Sequence, residues 1–295
     1  MITKLKLKNV KIDNFCVASD AEVNLKEGLN IVTVDEGNFI IGIINYLTDR
    51  LFEKHRCYEL LKIKPYIDKN DLSYLEIYCT FEDKILKYSS TYADMNLFTE
   101  TLMLDNELIG YWDCFDNSLE TGKLWDRLGE MDDLKIDTRL LCNTIGGRII
   151  ENALKDYLIC NTNSLFEFSR KNIESRLIFH DLNVIDDLNN IYNAFGFGIR
   201  IDKNDYLVYH QGKDNEFRLS MSQEGTGFLK LLNILPEIIY CMKKDKSLST
   251  IIPLYGTGLH FLVKKALKNF LRETGLNIIA TDWKEIIEIE KEKGC

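Results

Sequence analysis

Two glycine-containing segments carry residue types that could bind a phosphate group. The first, Ser222-Gln223-Glu224-Gly225-Thr226-Gly227, precedes an apolar run at 228–235 that predicts a buried helix. Glycines let backbone N–H groups approach an anion closely, and the N-terminus of a helix favours negative charge. The second, Asp35-Glu36-Gly37-Asn38, lies between a β-rich run at 29–34 and helical spacing at 39–52. Both segments therefore predict a loop that opens a helix and could contact phosphate.

The remaining pattern predicts the elements that would position these loops. Residues 3–10 and 15–23 have the pattern of two antiparallel strands, and residues 72–92 also look like sheet. Helical spacing occurs at 148–160, 171–195, 228–242 and 259–273, and short strands are predicted at 198–201, 206–209 and 217–219. Buried apolar strands at 250–254 and 277–281 alternate with the last helices. This order predicts an α/β fold with a mainly parallel sheet and N-terminal antiparallel strands.

Three segments together resemble the ATP-binding-cassette ATPases, in the soluble branch that includes RecF-like, SMC-like and OLD-like proteins. Residues 222–227 resemble the signature loop of that family. The lead-in to the second segment, Gly28-Leu29-Asn30-Ile31-Val32, resembles its Walker A region, and Gly258-Leu259-His260 resembles the segment after Walker B. The resemblance covers residues 1–50 and 198–290, and it implies an ATPase-like P-loop core.

The resemblance also implies that the catalytic positions have changed. Ile40 stands where the family has its phosphate-binding lysine, and Ile41 where it has a Ser or Thr for magnesium. Pro253 and Leu254 occupy the Walker B Asp-Glu positions, and Trp283, or alternatively Asp282, occupies that of the switch histidine. Without these groups there is no magnesium ligand and no group to orient the attacking water. The resemblance thus implies a pseudo-ATPase with no catalytic residue of its own and no metal site.

The site residues implied in this way form three sets. The vestigial P-loop consists of Asp35, Glu36, Gly37, Asn38, Ile40 and Ile41, where two carboxylates would repel a triphosphate. The signature-like loop, which in the family contacts phosphate held by the opposite subunit, consists of Ser222, Gln223, Glu224, Gly225, Thr226 and Gly227. The vestigial Walker B and switch positions are Pro253, Leu254, Gly258, His260 and Trp283. ATP and magnesium are accordingly expected only at a composite site completed by a partner.

We therefore expect a non-catalytic subunit that dimerises or binds an active ATPase or effector, in anti-phage defence or DNA maintenance. One alternative is an active nucleotide enzyme with a rearranged site that uses Asp35, Glu36 or Glu224 as metal ligands. Another is a scaffold whose acidic segment at 93–135, anchored by Trp112 and Trp125, binds a basic partner. Buried tryptophan in the core is the plainer interpretation of those two residues.

Composition narrows these possibilities further. The chain has 295 residues and a net charge of −9, and DNA binding usually shows a basic footprint, so DNA contact is expected only through a partner. No apolar run approaches the roughly 20 residues that span a bilayer, and the N-terminus lacks a secretory pattern, so a cytoplasmic protein is expected. Eight cysteines without a CxxC pair argue against zinc.

Three parts are expected along the chain. Residues 1–92 would form the N-terminal half of the ATPase-like core, and residues 198–295 the C-terminal half. Residues 93–197 would form an inserted acidic and helical lobe between them. No low-complexity linker marks these boundaries, so the division follows the patterning alone.

Overall fold

A computed structural model of the protein describes residues 1–12, 16–46, 63–64, 72–93, 96–113, 115–129, 140–159, 183–202, 207–211, 215–219, 224–244, 249–284 and 287. The strands of this part of the chain are β1 (Ile2–Ile12), β2 (Cys16–Asn24), β3 (Leu29–Thr33), β4 (Ile63–Lys64), β5 (Ser73–Phe81), β6 (Lys84–Ala93), β7 (Asn96–Leu104), β8 (Glu107–Asp113), β9 (Ser118–Thr121), β10 (Tyr157–Ile159), β11 (Ile199–Ile201), β12 (Val208–Gln211), β13 (Glu216–Leu219), β14 (Ser249–Ile252) and β15 (Ile278–Asp282). The helices are α1 (Val34–Tyr46), α2 (Trp125–Leu128), α3 (Leu140–Asn143), α4 (Ile145–Lys155), α5 (Val184–Ala194), α6 (Thr226–Lys244) and α7 (Phe261–Glu273).

The chain divides into two compact units. Unit 1 contains Met1–Lys26 and Asp35–Tyr157, and unit 2 contains Glu27–Val34 and Leu158–Cys295. The three-part division expected from the sequence stays a prediction.

Unit 1 is built on a large antiparallel sheet. Its strand order is β2-β1-β5-β6-β7-β8-β9, and β4 pairs with β1. Tight turns join neighbouring strands, and both residues of the Glu82-Asp83 and Asp105-Asn106 turns have positive φ. Such two-residue turns match the twist of a hairpin, and Asp and Asn tolerate the left-handed region well. The strands predicted at 3–10 and 72–92 are confirmed, and the strand predicted at 15–23 is confirmed from Cys16 onward.

The acidic segment at 93–135 had no predicted secondary structure. In the part of it that the structure describes, residues 96–121 form β7, β8 and β9 of this sheet, and α2 follows. Trp112 and Trp125 are half-buried. A Cβ atom added at Gly110 or Gly129 would lie within 3 Å of the Trp125 ring, so this ring packs tightly on both glycines. Trp125 therefore packs within unit 1, as the plainer interpretation holds.

Helix α4 begins where the sequence provides a cap. The Thr144 hydroxyl accepts a hydrogen bond from the Gly147 N–H at 2.9 Å, which satisfies one of the free donors of the first turn. A Cβ atom at Gly147 would lie 2.1 Å from the Leu141 carbonyl oxygen, so α4 meets the preceding helix too closely for a side chain there. The helix predicted at 148–160 is confirmed, but it starts earlier and ends at Lys155, before β10.

Unit 2 contains a second sheet with the order β10-β14-β15-β3. Strands β14 and β15 are parallel, as are β15 and β3, and every residue of β14 and β15 is buried. Strands buried on both faces explain the continuous apolar runs in the sequence. The predicted α/β fold class, with a parallel sheet and N-terminal antiparallel strands, is confirmed.

Helices α5, α6 and α7 cover the core of unit 2 together with a small antiparallel sheet, β11-β12-β13. The helix predicted at 228–242 is confirmed and spans Thr226–Lys244. Of the helix predicted at 171–195, residues 171–182 lie outside the described residues, and Val184–Ala194 is helical as α5. The predicted strand at 198–201 is also confirmed. The shared core residues of these elements include Leu188, Tyr192, Leu231, Ile234, Ile238, Leu267 and Leu271.

Among the described residues, the structure contains no helix that combines the length and apolar character required to cross a membrane.

Candidate functional site at the carboxyl edge of the parallel sheet

Several of the predicted site positions meet at one edge of the unit 2 sheet. Strands β14, β15 and β3 are parallel, and their register pairs Ile252 with Ala280 and Asp282 with Thr33. Their carboxyl ends therefore lie together, and in parallel sheets this is the edge where ligands bind. Pro253 directly follows β14, and Trp283 directly follows β15. The structure thus brings the positions predicted as vestigial Walker B and switch to the same edge.

The predicted loop at 35–38 is wrong. Strand β3 ends at Thr33, and α1 begins at Val34, so Asp35, Glu36, Gly37 and Asn38 form the start of a helix. The segment thus forms the first turn of a helix directly after β3 and lacks the extended loop with which a P-loop surrounds a phosphate. Glycine and asparagine suggested a loop here, but the two carboxylates also suit a helix N-terminus because they complement its dipole.

The burial of the side chains at residues 35–41 does not favour phosphate binding. Ile40, which the sequence resemblance aligns with the family's lysine, is 1% exposed, and Ile41 is half-buried. Asp35 and Asn38 are exposed, and Gly37 is buried. No described residue of this segment is itself cationic. The assignment of these residues as a vestigial P-loop stays a prediction.

A buried ion pair occupies the carboxyl edge. The Lys264 ammonium lies 2.6 Å from Oδ2 of Asp282, whose residue is 1% exposed. The same ammonium lies 5.2 Å from the centre of the Tyr255 ring, within range of a cation–π contact. A Cβ atom at Gly256 would lie 2.3 Å from Lys264 Cε, so Gly256 leaves the space that the pair fills. The negative charge of Asp282 is therefore balanced by Lys264 within the protein.

Lys230 fixes the segment that follows β14. Its ammonium donates hydrogen bonds to the carbonyl oxygens of Leu254 and Thr257, the latter at 2.8 Å, and the residue is 4% exposed. Leu254 has a φ of +49°, and its N–H donates to the Thr281 hydroxyl at 2.7 Å. A bulky residue in the left-handed region is strained, so these bonds hold the turn in place. The segment is a bonded turn with no side-chain carboxylate.

Sequence reasoning missed Lys230 and Lys264. The signal for Lys230 was present, because it is a lone lysine inside the apolar run Phe228-Leu229-Lys230-Leu231-Leu232. Lys264 lies in a basic stretch with Lys265, Lys268 and Arg272, a pattern that is typical of a solvated helix face. The structure buries Lys268 as well, whereas Lys265 and Arg272 are exposed.

Burial lowers the pKa of Lys230 to about 8 from an ordinary value of 10.5, and the nearby Lys264 adds to this while Asp282 opposes it. Below pH 8 the folded protein bears the full penalty of this buried charge. Between these two pKa values the unfolded state binds more protons, so stability rises with pH. We expect the protein to gain about 2 kcal/mol relative to Lys230→Met between pH 8 and about 10. Urea unfolding of both proteins across this range measures the difference, and a difference independent of pH would contradict the prediction.

The signature-like loop is described only in part. Ser222 and Gln223 lie outside the described residues. The Glu224 carboxylate, with a side chain 5% exposed, lies 2.7 Å from Nε2 of His210, and the His210 ring stacks on Phe217 at 4.9 Å. Gly225 accepts the first helical bond of α6, from the Leu229 N–H at 3.1 Å. Glu224 is thus bonded to β12 rather than directed to solvent.

The loop closely approaches the Gly258-Leu259-His260 segment. A Cβ atom at Gly227 would lie 3.1 Å from the Gly258 carbonyl oxygen, so the start of α6 approaches Gly258 closely. Gly258 itself has a φ of +79°, which glycine adopts without strain. His260 is the N-cap of α7, where its Nδ1 accepts from the Leu262 N–H at 3.4 Å. Gly258 and His260 therefore shape the entry to α7.

Beside this edge lie three exposed apolar side chains, Phe261, Leu262 and Trp283, which we call the edge apolar residues. Their exposed fractions are 69%, 58% and 49%. Phe261 precedes Lys264 by one helical turn, and Trp283 follows Asp282 directly, so they flank the ion pair. Across the described part of the chain, no group of three or more His, Cys, Asp or Glu side chains could hold a metal ion.

Comparison with known proteins gives the fold. No protein-family model matches the chain. No curated protein matches it either. An SMC head bound to the C-winged helix domain of ScpA is similar, with a TM-score of 0.50, 11% identity, and coverage of 97% of this chain and 90% of that one. The SMC head domain from Thermotoga maritima has a TM-score of 0.49, 12% identity and coverage of 97% and 90%.

A third solved structure is the Smc head domain from Pyrococcus furiosus, which has an extended coiled coil and is bound to the C-terminal domain of ScpA. Its TM-score is 0.44, its identity is 9%, and coverage is 98% of this chain and 91% of that one. The likeness to the ScpA-bound SMC head, at a TM-score of 0.50, supports an SMC-head-like fold of the ATP-binding-cassette type. The fold implied by the sequence resemblance is thereby confirmed.

Proposed function

We propose that this chain is a non-catalytic subunit of ATP-binding-cassette type that acts through dimerisation or partner binding. The observation that carries the proposal is the carboxyl edge of the parallel sheet. The segment after β14 contains Pro253 and Leu254 and is bonded to Lys230, and Asp282 after β15 is paired with Lys264. Phosphoryl transfer requires groups that hold magnesium and orient water, and these described positions offer neither.

Any nucleotide would need groups from a second protein. Gly225 and Thr226 open α6, a long helix whose N-terminal N–H groups suit an anion. In the proposed composite site, residues 222–227 contact a phosphate that an active partner holds through its own lysine and magnesium. The partner is a second copy of the chain, which would pair without nucleotide, or an active ATPase or effector protein.

The edge apolar residues support a protein-binding role. Aromatic side chains exposed beside a polar pair resemble the composition of interface centres, where Trp and other aromatic groups contribute most of the binding energy. One similar SMC head is bound to a winged-helix domain of ScpA. For this chain we propose a protein partner, without specifying which protein it is. We place the complex in the cytoplasm, in anti-phage defence or DNA maintenance, with DNA contacted through the partner.

The test measures association of the purified chain. We expect a self-complex, or a complex recovered from the native host, and loss of most of its affinity in Phe261→Ser/Leu262→Ser. Truncation of these two anchor side chains should weaken binding about 30-fold or more. Sedimentation velocity with and without ATP and magnesium measures the complex. Phe115→Ser is the matched control, because Phe115 is 84% exposed and belongs to unit 1.

Two results would contradict the proposal. One is equal association of the double variant and the control. The other is ATP hydrolysis by the chain alone, at a rate abolished by substitution of Gly37 or Glu224. Stronger association in the presence of ATP would identify the composite site, and association independent of ATP would identify a scaffold.

A further inference from the structure

Strand β11 presents peptide groups along an edge that faces away from β12. The Gln211 N–H donates to the Gly198 carbonyl at 2.7 Å, and the Asp202 N–H donates to the Leu207 carbonyl at 3.0 Å. Peptide groups along a strand alternate in direction, so Gly198 and Asp202 point towards β12. Ile199 and Ile201 therefore direct their N–H and C=O groups to the outer edge.

A side chain already completes half of this edge. The Ile201 N–H donates to Asn189 Oδ1 at 2.8 Å, and Asn189 Nδ2 donates to the Ile201 carbonyl at 3.0 Å. The Asn189 amide thus bonds Ile201 through one acceptor and one donor, as the peptide group of a neighbouring strand would. Helix α5 supplies it.

The other half of the edge opens into a cavity. Ile199 lies two residues before Ile201, about 6.6 Å along the strand, and Asn193 lies one turn beyond Asn189, about 6 Å along the helix. A cavity of about 560 Å³ lies between α5 and the three-stranded sheet, and Ile199 and Asn193 line it. Within the described part of the structure, neither the peptide groups of Ile199 nor the Asn193 side chain has a hydrogen-bond partner.

The charges around this cavity are compensated within the protein. Arg200 lies 3.3 Å from Glu216 and 3.5 Å from Asp202, and its guanidinium lies 4.4 Å from the centre of the Tyr209 ring. The remaining polar lining is neutral amide, from Asn190, Asn193 and Asn215 among others. A ligand here is therefore expected to be neutral and polar, with a size suited to a cavity of a few hundred cubic ångströms.

We propose that this cavity binds an extended peptide segment of a partner protein. The segment's C=O and N–H groups bond the N–H and C=O of Ile199, as the Asn189 amide bonds Ile201, and the Asn193 amide contacts the next peptide group. This is strand addition at a sheet edge, in which main-chain bonds supply affinity. The site uses none of the residues on which the proposed function rests.

In the first experiment the purified chain is titrated with N-acetyl-trialanine N-methylamide, and binding is monitored by amide NMR. We expect shifts at the Ile199 N–H and the Asn193 side-chain amide, with millimolar affinity as befits a few main-chain bonds. A matched probe with an ester in place of the central amide should lose these shifts, because it lacks the donor. Equal shifts with the ester probe would overturn the proposal, as would shifts with adenosine and none with the peptide.

A pair of variants then tests the location. Asn193→Ala should weaken binding of the peptide probe about threefold to tenfold, the worth of a neutral hydrogen bond. Asn152→Ala is the control, because Asn152 is an exposed helical asparagine of unit 1. Unchanged affinity in Asn193→Ala would overturn the assigned site. Protein association through the edge apolar residues is measured in a separate experiment. Failure of one proposal therefore does not contradict the other.

Discussion

Lys264→Met is expected to lower the free energy of unfolding by about 3–5 kcal/mol, the usual result of removing one partner of a buried ion pair. Asp282 is 1% exposed and lies 2.6 Å from the Lys264 ammonium. Methionine retains much of the side-chain volume but leaves the carboxylate buried without its cation. The loss therefore reports the unpaired charge more than any change in packing.

The measurement is urea unfolding combined with amide hydrogen exchange at β14 and β15. Lys265→Met is the matched control, because Lys265 is the next residue on the same helix and is exposed. We expect it to change stability by less than about 0.5 kcal/mol, as is usual for surface sites. Adding Asp282→Asn to Lys264→Met should recover part of the loss, since it removes the unpaired charge. Equal stability of Lys264→Met and Lys265→Met would show that the pair contributes nothing.

The pair also bears on the proposed function. A catalytic site would require a carboxylate at this edge that is free to bind magnesium, whereas Asp282 is held by a lysine from α7. If the edge serves only as a framework for the edge apolar residues, Lys264→Met should leave association unchanged as long as the variant stays folded. Saturating partner should then restore stability by mass action.

The sequence predicted the elements of unit 2 well, because continuous apolar runs such as 250–254 and 277–281 have few alternatives to a buried parallel strand. It did not predict the ion pair of Lys264 and Asp282, since 18 positions separate these residues and only the packing of α7 against the sheet edge joins them. Lys230 stands out as a lone lysine in an apolar run, but the sequence does not show which groups it bonds. Its two carbonyl acceptors lie more than 20 positions further along the chain.

Local sequence also misled in two places. Asp35-Glu36-Gly37-Asn38 has the composition of a loop, yet the apolar residues Phe39, Ile40 and Ile44 bury one side of a helix that extends back through this segment. In the acidic segment, turn residues such as Asp105-Asn106 obscured the strands around them. A buried acid, Glu100, also interrupts the alternation that identifies a strand. Tertiary contacts decided both cases.

Glu100→Ala is expected to lower the free energy of unfolding by about 3 kcal/mol, because it leaves two buried donors without an acceptor. Glu100 is 1% exposed, and its carboxyl group accepts from the Tyr88 hydroxyl at 2.6 Å and from the Leu140 N–H at 2.7 Å. Burial raises the pKa of the Tyr88 hydroxyl well above its usual value, so this tyrosine keeps its proton and donates throughout the neutral range. The carboxyl group thus ties β7 to both β6 and the start of α3.

The test compares Glu100→Ala with Glu107→Ala in urea unfolding, which is monitored through the fluorescence of Trp112 and Trp125 in unit 1. Glu107 is an exposed glutamate of the neighbouring strand β8, so its replacement should change stability by less than about 0.5 kcal/mol. Glu100→Gln should fall between the two, because its amide oxygen still accepts one of the two bonds. If Glu100→Ala were as stable as the control, the acid would not anchor the acidic segment in the sheet. Residues 96–121 would then be held by their strand pairing and apolar contacts alone.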